Sequence, residues 1–332
     1  MNRFSAIIPS CLPSPILPSL ISSLPADGEI LLIWNSEKKL PEKQYQQLHP
    51  NLRIISFSGK IGYARACNVG AQEAHSDILV FLNDDVRLKD NWWQCVSSRL
   101  SQSDCVAFLI LDEKGEKVDY AGGAMNLFGY GISIGNSRKL KDVAPKEEET
   151  LFPCGAGFAI NREIFLRCGG FDEDYFAFFE DVDFGWRLNL LGHRVLFCPD
   201  AIAFHSAGSS TRKSGIAFKQ HLLQRNSLFS LFKNYEEAHL LPLLSSAIAC
   251  AFEKIRESRK RGRRHLAQAY TKALTDFLSH LPEMEKKRAW VQQNRKKSDK
   301  ELLKLFRLPL HPAHLTELPK KFLQDSLHWL SG

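Results

Sequence analysis

Ser76-Asp77-Ile78-Leu79-Val80-Phe81-Leu82-Asn83-Asp84-Asp85 is a short apolar run that stops on three hydrogen-bonding side chains. An apolar run without alternation suits a strand buried on both faces, as parallel sheets require. Three upstream runs share the character: Phe4-Ser5-Ala6-Ile7-Ile8, ended by Pro9; Glu29-Ile30-Leu31-Leu32-Ile33-Trp34, ended by Asn35-Ser36; and Asn51 to Phe57. Between the third and fourth lies Ala64 to Ala74, small and helix-permissive, entered through Gly59 and Gly62. The alternation predicts an α/β domain with a mostly parallel central sheet. Ligands of such sheets bind beyond the carboxyl ends of the strands, so Asn83-Asp84-Asp85 falls at the expected mouth of a site. Hard oxygen donors there suit Mg²⁺ or Mn²⁺, which bind through one or two carboxylates plus substrate phosphates. Asn and Asp also dominate turns after strands, and taken alone the element favours that plainer reading.

A second acidic segment is Phe178-Phe179-Glu180-Asp181-Val182-Asp183-Phe184-Gly185-Trp186-Arg187. Its carboxylates sit among aromatic rings, which desolvate them and raise their pKa values unless a cation or hydrogen bonds compensate. A general base or a metal site is built in such surroundings. The segment also reads as a helix start, with acids in the first turn and Asp183 four positions before Arg187. His205 follows the apolar run Arg194 to Cys198 and a turn at Pro199-Asp200, within Ala203-Phe204-His205-Ser206-Ala207-Gly208. A lone His after a strand is more often packed and hydrogen-bonded than a ligand, and only the preceding motifs give it weight.

The 332 residues suit one large α/β domain with an appendage, or two domains. Residues 233–332 hold 20 Lys/Arg against 11 Asp/Glu, whereas the first 232 hold 24 against 26, so the positive excess belongs to the tail. That tail reads as helical from about residue 235, with basic clusters at Arg256 to Arg264 and Lys286 to Lys297. Solvated helix faces are the default reading of such clusters; a basic, partly apolar helix also suits an anionic membrane surface. No recognised module accompanies the charge, which argues against nucleic acid as a partner.

Eight scattered cysteines without CxxC spacing read as reduced core residues and predict a cytoplasmic location, extending to the inner face of the membrane if the tail docks there. Prolines 9, 13, 15, 18 and 25 argue against an N-terminal signal helix. The apolar run Leu240 to Phe252, interrupted by Pro242, is short for a membrane span.

Taken in order, these elements resemble the family 2 glycosyltransferases of GT-A fold, notably their bacterial rhamnosyltransferase-like branch. The resemblance runs from Ile7-Ile8-Pro9 to about Asn234. It rests on Gly62-Tyr63-Ala64-Arg65-Ala66-Cys67-Asn68-Val69-Gly70, Phe81-Leu82-Asn83-Asp84-Asp85-Val86, Cys154-Gly155-Ala156-Gly157-Phe158-Ala159-Ile160 and Gly169-Gly170-Phe171-Asp172-Glu173. Glu180-Asp181-Val182-Asp183, Arg187, Gly192 and His205 complete it.

The resemblance implies a GT-A domain over residues 1–235 with an α-helical C-terminal extension over 236–332. Asp85 and His205 would hold a divalent metal, Mg²⁺ or Mn²⁺, with Asn83 in place of the usual first Asp. Asp181 would be the general base, with Glu180 beside it. Pro9, Asn35, Arg65, Asn68, Asn83, Asp84, Gly155 and Ala156 would bind the donor. The implied activity is inverting transfer from a nucleotide-sugar to a hydroxyl on a glycan or lipid-linked acceptor, in cell-surface polysaccharide or glycoconjugate assembly. A catalytically silent relative that binds sugar nucleotide or glycan is the alternative.

One position departs from the pattern. Trp34 stands where the family places a base-reading Asp, and an indole cannot accept a hydrogen bond from a nucleobase N–H. Either Asn35 takes over, the nucleotide preference differs, or Trp34 packs into the core. Residues 112–150, rich in glycine and carrying Tyr120, Phe128 and Tyr130, read as an insertion: a mobile acceptor loop or a plain surface hairpin.

Overall fold

A computed structural model describes residues 3–12, 14–206 and 215–306. Pro13, Ala207-Gly208 and the end of the C-terminal extension lie outside them. The described residues divide between two compact units, one drawn from residues 1–123, 133–188 and 193–213, the other from 124–132, 189–192 and 214–332.

The first unit is built on a ten-stranded sheet in which β1 (Ser5–Ser10), β2 (Glu29–Asn35), β3 (Leu52–Phe57) and β4 (Ile78–Leu82) pair in parallel in the order β4-β1-β2-β3. Every residue of β1 and β2 is buried, which explains why their sequences do not alternate. β1 runs on through Pro9, which pairs with Ile33 of β2 but lies beyond the ladder to β4, where the missing N–H costs nothing. Helices Leu17–Ser23, Glu42–Gln46 and Tyr63–Glu73 make the crossovers. The last packs closely on β1 because residue 70 is glycine: a Cβ there would meet Ile7 Cγ2 at 2.5 Å.

Beyond β4 the sheet becomes mixed. The remaining strands are β5 (Val86–Leu88), β6 (Cys105–Asp112), β7 (Val118–Tyr120), β8 (Gly123–Met125), β9 (Gly131–Ser133), β10 (Glu148–Glu149), β11 (Gly157–Asn161) and β12 (Val195–His205). β11 lies antiparallel between β4 and β6, and β12 runs parallel to β6, with β5 and β10 antiparallel on β12. β8 and β9 form a separate two-stranded sheet. The expected turn at Pro199-Asp200 is instead a register shift inside a continuous β12, between Cys198 and Ile202. The proline's missing donor falls in the irregularity, so the strand need not end there.

Five phenylalanines, Phe81, Phe158, Phe165, Phe171 and Phe184, pack ring on ring between the sheet and the helices Arg162–Arg167 and Glu180–Leu190. Beside them Arg187 and Asp183 form a buried ion pair at 2.8 Å. Arg187 Nη1 and Nη2 donate to the carbonyls of Cys168 and Gly170, and Tyr175 Oη donates to Asp183. The sequence's i,i+4 pairing is therefore the anchor of the acidic helix.

The insertion at 112–150 is structured around β7, β8 and β9. Its Tyr120 and Phe128 are 1% exposed, which makes them core residues and not an acceptor-facing surface. The second unit is helical: Ile216–Asn234, Glu237–Lys260, Arg264–Ser279, Leu281–Asn294 and Asp299–Leu302. The helix Glu237–Lys260 runs through Pro242 for 24 residues and is long and apolar enough to cross a membrane by length and composition, longer than the apolar run alone suggests. Core helices of water-soluble proteins meet the same test.

Removing one member of a buried pair strands the other charge, so Arg187→Ala is expected to cost about 3–5 kcal/mol of unfolding free energy. The double variant with Asp183→Ala should lose less than the sum of the single losses in urea denaturation. Additive losses would mean that the pair is not coupled.

Candidate active site

Two loops meet where the chain enters the acidic helix and the helix Tyr63–Glu73. Gly62 has φ 87°, and a Cβ there would lie 2.7 Å from the Phe176 carbonyl, so only glycine fits. That carbonyl accepts the Tyr63 N–H at 2.6 Å. Phe176, Phe178 and Phe179 all have positive φ, at 62°, 66° and 76°. Three bulky residues in the left-handed region within four positions store backbone strain, a feature that clusters at functional sites. The strained turn delivers Glu180 and Asp181 at the start of their helix.

Asp181 accepts hydrogen bonds on both oxygens, from Gly155 N at 3.0 Å and Val182 N at 2.8 Å. Gly155 is itself held by Tyr63, whose Oη donates to its carbonyl at 2.8 Å. The donor-loop residue and the expected base are thus adjacent, and Ala156 follows with its carbonyl 3.5 Å from Asn83 N. Glu180 is buried, and its Oε2 has no hydrogen-bond partner among the described residues. Burial, with Asp181 next to it, pushes Glu180 well up. Burial also raises Asp181, with the amides of Gly155 and Val182 pulling it back. The Cys154 thiol, pushed up to about 12 by burial, feels Asp181, Asp119 and Glu180 in turn, so three carboxylates converge around it.

Asp85 and His205 meet because of strand register. β5 begins at Val86, which pairs with His205 at the end of β12. Asp85 Oδ1 therefore lies 3.2 Å from His205 Nε2, with Asn83 Nδ2 at 3.4 Å from the same nitrogen. On the other side of the ring, Nδ1 lies 3.5 Å from Asp119 Oδ2. Burial alone would pull this imidazole down; the carboxylates of Asp119 and Asp85 outweigh it and push it up to about 9. A hard carboxylate oxygen and an imidazole nitrogen this close form a donor set that fits a divalent cation. Asp84 is committed elsewhere: Ser10 Oγ donates to it at 2.5 Å, and burial, opposed by that bond, pushes it up to about 6. Ser10 follows Pro9 at the end of β1, so these two donor-side segments are tied together.

Other expected donor residues do structural work. Asn35 Oδ1 accepts Ile61 N at 2.5 Å, and its amide donates to the Gly62 carbonyl at 3.2 Å, which shapes the turn into the helix. Asn68 clamps Phe171 through both backbone groups, at 2.8 and 2.9 Å. Arg65 is exposed, 3.8 Å from Glu173. Trp34 is 2% exposed and donates to the Lys38 carbonyl at 2.6 Å, so the core-packing reading holds. An open hollow of about 770 Å³ lies beyond the ends of β2 and β3, lined by Trp34, Ser36, Lys38, Lys43, Ser56 and others, but by none of the clustered acids. Sequence reading gave no role to Ser10 or Asp119, which lie in none of the quoted motifs, nor to Tyr63, which lies inside the motif Gly62 to Gly70.

A separate group, Glu236, His239 and Asp299, lies in the helical unit. Asp299 already accepts from Glu236 N, His239 Nδ1 and Arg295 Nη1, and the guanidinium supplies the cation there.

Above the unfolded value of 4.5, folded Glu180 retains its proton while the unfolded chain loses it, so stability falls as pH rises through that window. Glu180→Gln removes this titration. Between pH 5 and pH 8 the variant's melting temperature should gain steadily on the wild type. A difference independent of pH would contradict a raised Glu180.

A family model described as glycosyltransferase-like family 2 matches residues 37–226. The O-antigen biosynthesis protein RfbC of Myxococcus xanthus is 26% identical over 231 residues, covering 64% of this chain and only 18% of that much longer protein. The N-acetylglucosaminyl-diphospho-decaprenol L-rhamnosyltransferase of Mycobacterium tuberculosis is 25% identical over 228 residues, covering 60% of this chain and 74% of its own. Among solved structures, GalNAc-T7 with UDP, GalNAc and Mn²⁺ aligns with a TM-score of 0.54 at 17% identity, over 85% of this chain and 58% of that one.

Proposed function

The chain belongs to the glycosyltransferase-like family 2, and from that premise we propose that it transfers a sugar, with inversion, from a nucleoside diphosphate to a hydroxyl acceptor in cell-surface polysaccharide or glycoconjugate assembly. The observation that carries this reading is the pairing of Glu180 and Asp181 against the Gly155 loop, one carboxylate held by two amides and its neighbour buried with an oxygen that has no partner among the described residues.

Asp181 takes the proton of the acceptor hydroxyl, whose oxygen then bonds to the anomeric carbon. The bond from that carbon to the diphosphate oxygen breaks, and its electron pair departs with the diphosphate. Amides of Gly155 and Val182 hold the carboxylate in one orientation, so little reorganisation precedes proton transfer. Glu180, protonated near neutral pH by its burial, is suited to donate a hydrogen bond to the acceptor or sugar. Asp85 and His205 are the residues that would hold Mg²⁺ or Mn²⁺, which supplies neutralisation of the charge developing on the diphosphate. Relatives named for diphospho-decaprenol and O-antigen work favour a lipid-linked or glycan acceptor.

A panel of UDP-, dTDP- and GDP-sugars with Mg²⁺ or Mn²⁺ should reveal one donor that is hydrolysed or transferred. With it, Asp181→Asn should lower kcat by about 10²–10⁴-fold with little change in donor binding. Donor binding without turnover by the wild type would favour the silent-binder alternative, whereas an unchanged kcat in the variant would overturn Asp181 as the base.

The helical unit adds a basic, partly apolar surface: Arg259, Arg261, Arg263 and Arg264 are exposed, as are Leu241 and Phe252. Such a surface suits peripheral docking on an anionic leaflet, placing the enzyme on the cytoplasmic side beside lipid-linked acceptors. The full chain should float with vesicles containing phosphatidylglycerol but not with phosphatidylcholine alone, and changing the four arginines to Ser should abolish flotation. Equal flotation of the variant would refute docking through this face.

A further inference from the structure

Asp119 lies in the glycine-rich insertion, within none of the motifs that carry the family resemblance, yet it sits against the ring of His205. Its Oδ2 is 3.5 Å from Nδ1, while Asp85 Oδ1 and Asn83 Nδ2 lie at 3.2 and 3.4 Å from Nε2. The two ring nitrogens therefore face different groups: one looks towards the expected cation position, the other towards a carboxylate.

Strand register shows how the insertion achieves this. β7 pairs antiparallel with β6, with Tyr120 opposite Ile110. Regular pairing would set Asp119 opposite Leu111, but the residue opposite Leu111 is Val118. Asp119 is the extra residue of a β-bulge, left out of the ladder and re-aimed. Bulges are over-represented beside active sites for this reason. The bulge is secured on all sides. Val118 and Tyr120 are buried; Val118 N donates to Arg138 O and accepts Ser137 N on its carbonyl; and Asn136 Nδ2 donates to the Asp119 carbonyl at 3.0 Å. β12, carrying His205, runs along the other edge of β6, with His205 opposite Asp112. Asp119 and His205 thus approach from strands on either side of β6, an arrangement fixed by the sheet.

We propose that Asp119 is a positioning residue for the cation site: by accepting the Nδ1 proton it fixes the tautomer and ring orientation that direct the Nε2 lone pair of His205 to the metal. This rests on reading Asp85 and His205 as the metal pair. A metal-ligating histidine commonly donates its other N–H to a carboxylate, and loss of that partner costs about 10–100-fold in metal affinity. The insertion's contribution to the site is then a support strand.

The test is Mn²⁺ binding to the full chain, followed by electron paramagnetic resonance, with folding of each variant checked by its melting curve. Asp119→Ala should raise the Mn²⁺ dissociation constant by about 10–100-fold. Asp119→Asn, whose amide oxygen can still accept from Nδ1, should lose less. In a His205→Ala background, Asp119→Ala should have no further effect. Unchanged affinity in Asp119→Ala, or the same loss with and without His205, overturns the positioning role while leaving the metal assignment in place. A wild-type chain that binds no Mn²⁺ overturns the metal assignment itself.

Discussion

The buried pair between Asp183 and Arg187 sets the geometry on which the candidate site depends. Its two charges lie almost wholly out of water, so the pair depends on the further hydrogen bonds that both partners make. Arg187 spends its other nitrogens on the carbonyls of Cys168 and Gly170, and Asp183 takes the Tyr175 hydroxyl. Asn68, from a different helix, continues the network by clamping Phe171. The acidic helix thus has one seat, and Glu180 and Asp181, a turn earlier, inherit their position from it.

Polar side chains around the site fall into two physical groups. Asn35, Asn68 and Asp84 have their hydrogen bonds satisfied by backbone or by Ser10, which makes them builders of the turns and strand ends where a donor would lie. Glu180 retains a buried oxygen without a partner among the described residues, and Asp85 and His205 face each other across 3.2 Å. Incomplete satisfaction in a buried setting is costly unless a ligand or a bound proton relieves it. The raised Glu180 carboxyl expresses that cost as a retained proton.

Much of the architecture was legible because burial leaves a direct trace in residue choice. Three of the four parallel strands appear as largely apolar runs, while β3, which is partly exposed, carries Arg53 and Ser56; the crossover helix before β4 appears within one residue of its expected start. The i,i+4 spacing of Asp183 and Arg187 announced their pairing. Less legible was anything that depends on pairing between distant segments. Pro199-Asp200 carries every local sign of a turn, but neighbours on β6 hold the chain extended through it. The glycines and aromatics of the insertion suggested an exposed loop or hairpin, whereas Tyr120 and Phe128 fill the core. Trp34, standing where the family places a base-reading Asp, is buried and donates to the Lys38 carbonyl, so it packs into the core.

By itself the sequence determined which chemical groups are present and which local elements carry them: an acidic strand end, an acidic helix start, a histidine after a strand. It did so because apolar periodicity and short-range spacing are properties of neighbouring residues. Tertiary structure alone decided which of those groups meet. Register between β5 and β12 sets His205 beside Asp85, a single extra residue in β7 aims Asp119 at the same ring, and the Gly155 amide settles on Asp181. Such meetings depend on side-chain reach across a sheet, where a shift of one residue turns every side chain to the other face, and no local pattern in the chain encodes that count.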